Sequence, residues 1–281
     1  MASSGFITTP DGIRLSYTQT GPVSAPNLVF IAGWVQTASI FHKQVSHFSS
    51  SYRVTTYDHR GHGNSDKPNF GYRVYRLAAD LESLLTQLDI QDAVLVGHSM
   101  GSSVLWAHWD IYSHERVKKL VFIDEARTIT MNPNWTPEQT AEAGAVMPPQ
   151  AKFDLLEPLR GPHWKEAWTA FSRGFFSDDI NPEELKFALD ESMKSPPSVA
   201  AAMMNDHASI DWEDIFPRIT APTLVIGAKA SRFPVESIQW IAKQIPNSRL
   251  EIFEKEEGGS HFMFFENPEK FNRILDEFLS S

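Results

Sequence analysis

The sequence predicts an α/β protein: a mostly parallel β-sheet flanked by helices, with a helical cap inserted between two strands. Three observations carry this expectation. Short apolar runs of strand length recur along the chain, with helical periodicity between most of them. One stretch, 128–215, breaks that rhythm and shows helix starts but no strand pattern. A serine flanked by glycines falls where one apolar run gives way to a helical pattern.

The first element is a hairpin. FITT and IRLSYTQT alternate apolar and polar residues on either side of Pro10-Asp11-Gly12, a turn sequence. NLVFIAG at 27–33 is a continuous apolar run, as expected of a strand buried on both faces. Runs of the same kind follow at 52–58, 93–97, 119–124, 222–227 and 249–254. VYRLAADLESLLTQL, SVLWAHWDIY, VESIQWIAKQI and EKFNRILDEFL place apolar residues at three- and four-residue spacing, which predicts helices. The last has a clear start, with Asn267 as N-cap and Pro268 in the first turn. Strands alternating with helices imply a parallel sheet covered on both faces.

Within 128–215, helices are expected to start at 136–139 (TPEQ) and 181–184 (NPEE). Pro148-Pro149, Gly161-Pro162 and Pro196-Pro197 punctuate the segment. The expected organisation is a core formed by 1–127 and 216–281, with 128–215 as the cap. The chain of 281 residues, 42% of them hydrophobic, is long enough to bury one large core.

The formal net charge of −10 argues against nucleic-acid or anionic-membrane partners. No run of basic residues offsets it. With no cysteine, the chain has no thiol nucleophile, disulfide or thiolate metal site. The N-terminal stretch shows no signal-peptide pattern, and no apolar run reaches the length of a membrane span. A cytoplasmic protein is therefore expected. No signature of an oligomer interface can be read.

The chemistry starts at Gly97-His98-Ser99-Met100-Gly101. G-x-S-x-G between a strand and a helix is the pattern of a nucleophile elbow, a sharp turn that exposes the serine hydroxyl. The N–H of Met100, at the helix start, is then placed to stabilise an oxyanion. The loop after 27–33 reads Ala32-Gly33-Trp34, and the Trp34 N–H is the expected second donor.

These motifs resemble the α/β-hydrolase superfamily over nearly the whole chain. The resemblance implies that the base is the histidine before the last helix, His261 in EEGGSHFMFFENPEKF. It implies that the glycine-rich DHRGHGNSDKP loop at 58–68 is structural, with His59, Arg60 and His62 fixing it. Two histidines without clustered carboxylates give no reason to expect a metal. The third triad member departs from the usual pattern. Many members carry an aspartate soon after the 222–227 strand, but here the loop reads GAKASRFPVES, with Ser231 at that place. The other known position follows the preceding strand. There stand Asp124 and, as the alternative, Glu125. The expected acid is Asp124.

The resemblance implies a serine hydrolase, free of cofactor, that cleaves an ester or lactone of a small molecule. The cap aromatics suggest an apolar, aromatic-compatible pocket, with Trp135, Trp164 and Trp168 as candidate lining residues. The alternative is a cofactor-independent dioxygenase of 3-hydroxy-4-quinolone type, which AGW, RGHGNSDKPNFGY and GGSHF also resemble. Those relatives carry a further histidine after the serine, where this chain has Met100. A third reading is a ligand receptor on the same scaffold, and the complete triad argues against it.

Overall fold

The computed structural model describes residues 2–281, apart from the side chain of Arg160. Eight strands form one sheet: β1 (Ser3–Thr8), β2 (Arg14–Thr20), β3 (Asn27–Ile31), β4 (Arg53–Tyr57), β5 (Ala93–His98), β6 (Val117–Ile123), β7 (Thr223–Ala228) and β8 (Ser248–Phe253). Their spatial order is β1-β2-β4-β3-β5-β6-β7-β8. β1 and β2 form the antiparallel hairpin, β2 pairs antiparallel with β4, and every later pairing is parallel.

Three helices, α1 (His42–Phe48), α2 (Val74–Gln87) and α3 (Met100–Ile111), connect the first strands. Five more lie between β6 and β7: α4 (Pro137–Ala143), α5 (Pro149–Arg160), α6 (Trp164–Arg173), α7 (Pro182–Ser192) and α8 (Pro197–His207). α9 (Val235–Gln244), α10 (Met263–Glu266) and α11 (Pro268–Ser280) complete the chain. Among the described residues, no helix is long and apolar enough to cross a membrane.

The continuous apolar runs have a direct physical cause. Alternate strand residues face opposite sides of the sheet, and both sides are covered. Val29, Leu95, Phe122 and Val225 pack with Leu77 and Leu81 of α2, Trp106 of α3 and Ile238 of α9. Phe30, Val96, Val121 and Ile226 pack on the other face with Phe48 of α1 and Leu275 and Phe278 of α11.

Helix starts follow their side-chain chemistry. Thr136 and Gln139 form a reciprocal capping box at α4, Asn181 accepts from the N–H groups of Glu183 and Glu184, and Asn267 accepts from Lys270. α1 has no such signal. Its sequence, HKQVSHF, is short and polar. It is held by tertiary bonds: Gln44 donates to the Phe264 carbonyl (2.7 Å) and Lys43 to that of Phe265 (2.8 Å).

The 58–68 loop is fixed by a buried cation. Arg60 is completely buried and donates to both Asp80 oxygens (2.6 Å each) and to Asp11 (2.9 and 3.0 Å). Removing one partner of a buried pair strands the other charge. Asp80→Ala is therefore expected to destabilise the protein by about 3–5 kcal/mol in urea denaturation. Asp11→Ala should cost less, because the Asp11 side chain is partly exposed.

Candidate active site

β5 ends at His98, and α3 begins at Met100. Ser99, between them, has φ 52° and ψ −129°, a conformation that a side chain rarely adopts. Such strain costs about 1–3 kcal/mol and persists only where neighbours impose it. Here the Ser99 N–H donates to the Ile123 carbonyl (2.8 Å), and its own carbonyl accepts from Ser102 (2.7 Å). The two glycines are needed for close approach. A Cβ on Gly97 would lie 2.6 Å from the Gly101 backbone, and one on Gly101 would lie 2.3 Å from the Ile31 carbonyl oxygen.

The structure brings His261 and Asp124 together. His261 Nδ1 lies 2.6 Å from Asp124 Oδ2, and both residues are buried. Asp124 sits just past β6, where its N–H donates to the Ile226 carbonyl (2.8 Å) and its φ of 49° turns the chain. Burial pushes the Asp124 carboxyl upward, and hydrogen bonds from His261 and Ser231 oppose that push. Ser231 Oγ donates to the same Oδ2 at 2.5 Å. Ser231 thus bonds to the carboxylate that follows the neighbouring strand. Glu125 turns elsewhere, with one oxygen accepting from the Ala126 N–H (2.8 Å).

His98, inside the glycine-serine motif, also has a place. Its Nε2 lies 2.9 Å from the His261 carbonyl, so Nε2 carries the proton and donates. Complete burial holds its pKa well below the usual histidine value, so the ring is neutral. It packs on the His261 ring at 4.6 Å between centroids and fixes that loop from below.

The loop carrying Gly33 and Trp34 passes directly beside Ser99, where a Cβ on Gly33 would come within 3.0 Å of Ser99 Cβ. The 58–68 loop holds it there. His59 Nε2 donates to the Ala32 carbonyl (3.0 Å), His62 Nε2 accepts from the Val35 N–H (3.1 Å), and Asp58 accepts from the Ala38 N–H (2.8 Å). Met100 is the first residue of α3, so its N–H has no intrahelical partner.

His59, His62 and His98 are buried and neutral, and burial lowers the pKa of each, that of His59 to about 3. A folded pKa below the unfolded value means that the unfolded chain binds more protons in acid. Stability is then fully present above the unfolded pKa and falls as pH drops below it. Asp80 and Asp124, with carboxyl pKa values raised by burial, act in the opposite direction, so the three histidines work against two carboxyls. Urea midpoints should therefore fall between pH 7 and pH 5, and His59→Gln should flatten the slope.

A cavity of about 580 Å³ opens over Ser99 and His261. Its wall is mainly apolar and includes Trp34, Met147, Phe171, Phe175, Met204 and Phe233. Two further polar residues reach it, His207 and Arg232. The Arg232 guanidinium lies 4.7 Å from the ring centres of both Phe171 and Phe175 and donates to the Phe171 carbonyl (3.0 Å). A smaller recess beside Ser99 is lined by Trp168 and Phe176.

The three expected lining tryptophans therefore divide. Trp168 lines the recess, its ring edge-on to Trp34 at 4.9 Å and its Nε1 donating to Ser192 (2.7 Å). Trp135 and Trp164 are not among the residues that line the cavity or the recess. Trp135 lies against the Arg127 guanidinium (5.4 Å), and Trp164, at the first turn of α6, packs on the core edge. Trp164, Trp168 and Phe171 share one face of α6, and it is the later turns, Trp168 and Phe171, that reach the recess and the cavity beside Ser99. Met204, His207, Arg232 and Phe233 were not singled out by sequence. Each lies far along the chain from Ser99, and only the fold brings them together.

Residues 26–268 match the family model described as alpha/beta hydrolase fold. The chain belongs to that family. It is an α/β-hydrolase enzyme. A Synechocystis sp. protein bearing a non-heme chloroperoxidase name is 32% identical over 262 residues, covering 90% of each chain. The 3-oxoadipate enol-lactonase 2 of Acinetobacter baylyi is 27% identical over 270 residues, covering 95% of this chain and 94% of its own. Among solved structures, an esterase from Exiguobacterium antarcticum superposes with a TM-score of 0.89 at 24% identity, covering 99% of this chain and all of its own.

Proposed function

We propose that this α/β-hydrolase cleaves an ester or lactone of a small, largely apolar molecule through Ser99, His261 and Asp124. The observation that carries the reading is the 2.6 Å contact between Asp124 and His261, whose ring lines the same cavity as the strained Ser99. The enol-lactonase and esterase names of relatives fit the same chemistry.

Each step follows from the groups present. His261 takes the hydroxyl proton as Ser99 Oγ attacks the carbonyl carbon. Negative charge moves to the carbonyl oxygen, where the N–H groups of Met100 and Trp34 stabilise it. The tetrahedral centre collapses, and His261 returns the proton to the leaving alkoxide. Water then attacks the acyl-serine with His261 again as base, releasing the acid and restoring Ser99. Asp124 holds the imidazole with Nδ1–H toward itself and stabilises the imidazolium that forms. Ser231 and His98 are positioning residues, acting on Asp124 and on the His261 backbone.

The relevant comparison sets esters and lactones against a 3-hydroxy-4-quinolone with oxygen uptake. Hydrolysis lost in both Ser99→Ala and His261→Ala supports the reading. Oxygen consumption that survives loss of Ser99 but not of His261 would favour the dioxygenase reading instead.

A further inference from the structure

Asp124 and Glu125 are neighbours in the chain, and each carboxylate faces a histidine on the wall of one cavity. Asp124 faces His261. Glu125 faces His207, with Oε2 and Nε2 3.3 Å apart. Both members of this second pair are buried, Glu125 at 2% exposure and His207 at 3%. A buried ionisable pair is expensive to keep, and replacing such a pair by apolar residues is often neutral or stabilising. This one is also incompletely satisfied. Glu125 Oε2 and His207 Nδ1 are buried without a protein hydrogen-bond partner. An unsatisfied buried polar atom is costly, and a ligand group can relieve that cost.

The pair is rigidly held. His207 ends α8, and the helix is tied to the core near both ends. Trp34 Nε1 donates to the Ala200 carbonyl (2.9 Å), and Thr130 Oγ1 donates to that of Ala208 (2.6 Å). The rest of the wall is nearly all apolar, so a polar group of the substrate finds few other partners there.

We propose that His207, held by Glu125, is a second substrate anchor and that it binds a hydroxyl group carried away from the scissile carbonyl. A hydroxyl both donates and accepts, so it satisfies Nδ1 whether or not that nitrogen carries a proton. A substrate carboxylate suits His207 poorly, because Glu125 already places an acidic side chain against it, and the cation on the wall, Arg232, is engaged by the Phe171 and Phe175 rings and the Phe171 carbonyl. The favoured substrates are thus hydroxylated aryl or alkyl esters and lactones, and not plain hydrocarbon esters. The inference rests on the serine-hydrolase reading of the same cavity.

The test uses p-nitrophenyl esters of 3-phenylpropanoate and of its side-chain- and ring-hydroxylated analogues. It also uses the corresponding non-hydrolysable amides, whose binding calorimetry follows without turnover. The wild-type protein should prefer at least one hydroxylated ester over its parent by about tenfold in kcat/KM, and the matching amide should bind about tenfold more tightly. In His207→Phe and in Glu125→Gln both preferences should fall to about one, with thermal melting used to select folded variants. Equal treatment of parent and hydroxylated compounds by the wild-type protein, or a preference that persists in folded His207→Phe, would overturn the anchor. Selective amide binding with no ester turnover would keep the anchor and overturn the hydrolase reading instead.

Discussion

Ser99→Ala is expected to lower ester kcat by about 10⁴- to 10⁶-fold, the range for removing a nucleophile whose partners act as a unit. Binding should change little, since one oxygen is lost from a large apolar cavity. The same position predicts an opposite effect on stability. Ser99 sits at φ 52° because the turn demands it, and glycine meets that demand without a Cβ penalty. Ser99→Gly should therefore stabilise the fold by about 1 kcal/mol while abolishing turnover. Chemical denaturation of wild-type protein, Ser99→Ala and Ser99→Gly separates the two effects. A nucleophile placed at the cost of strain predicts that the inactive glycine variant is the most stable of the three.

The second large effect concerns Asp124. Asp124→Asn preserves shape but presents the wrong partner to His261 Nδ1, and kcat is expected to fall by about 10⁴-fold. The geometry also predicts a rescue. Ser231 Oγ touches the same carboxylate oxygen that His261 contacts. A carboxylate brought in by Ser231→Asp should therefore reach the imidazole from the neighbouring loop. The double variant Asp124→Asn/Ser231→Asp should recover a large part of the lost rate. Ser231→Asp alone should destabilise the protein, because two buried carboxyl groups would then share one site. If the double variant is no faster than Asp124→Asn, the loop after β7 does not reach His261 as described.

Much of this was legible in the sequence, for reasons that differ by element. The central strands are continuous apolar runs because helices cover both faces, so Val94 and Leu95 are both buried although they point to opposite sides. The elbow was legible because Gly97, Ser99 and Gly101 answer a local steric demand. Asp124 became readable through an absence in the later loop, and the structure adds what sequence could not, that Ser231 bonds to it.

Other features depend on tertiary placement. Trp135 and Trp164 carry the same apolar signal as Trp168, yet only Trp168 lines the recess beside Ser99: Trp164 shares its helix face but lies one turn nearer the start of α6, and Trp135 lies in the bend before α4, against Arg127. α1 forms from a polar heptad because Gln44 and Lys43 find carbonyls near the far end of the chain. The pairing of Glu125 with His207 joins a residue just past β6 to the end of α8, and no local pattern announces it.

The central claim is that Ser99 carries the acyl group during turnover. Acid-quenching a reaction with a slowly hydrolysed aryl ester, followed by peptide mass mapping, tests it most directly. The account predicts the acyl mass on the peptide containing Ser99, a build-up that matches the burst of released phenol, and neither in Ser99→Ala. Turnover without an acylated peptide, at a rate that Ser99→Ala leaves unchanged, would contradict it.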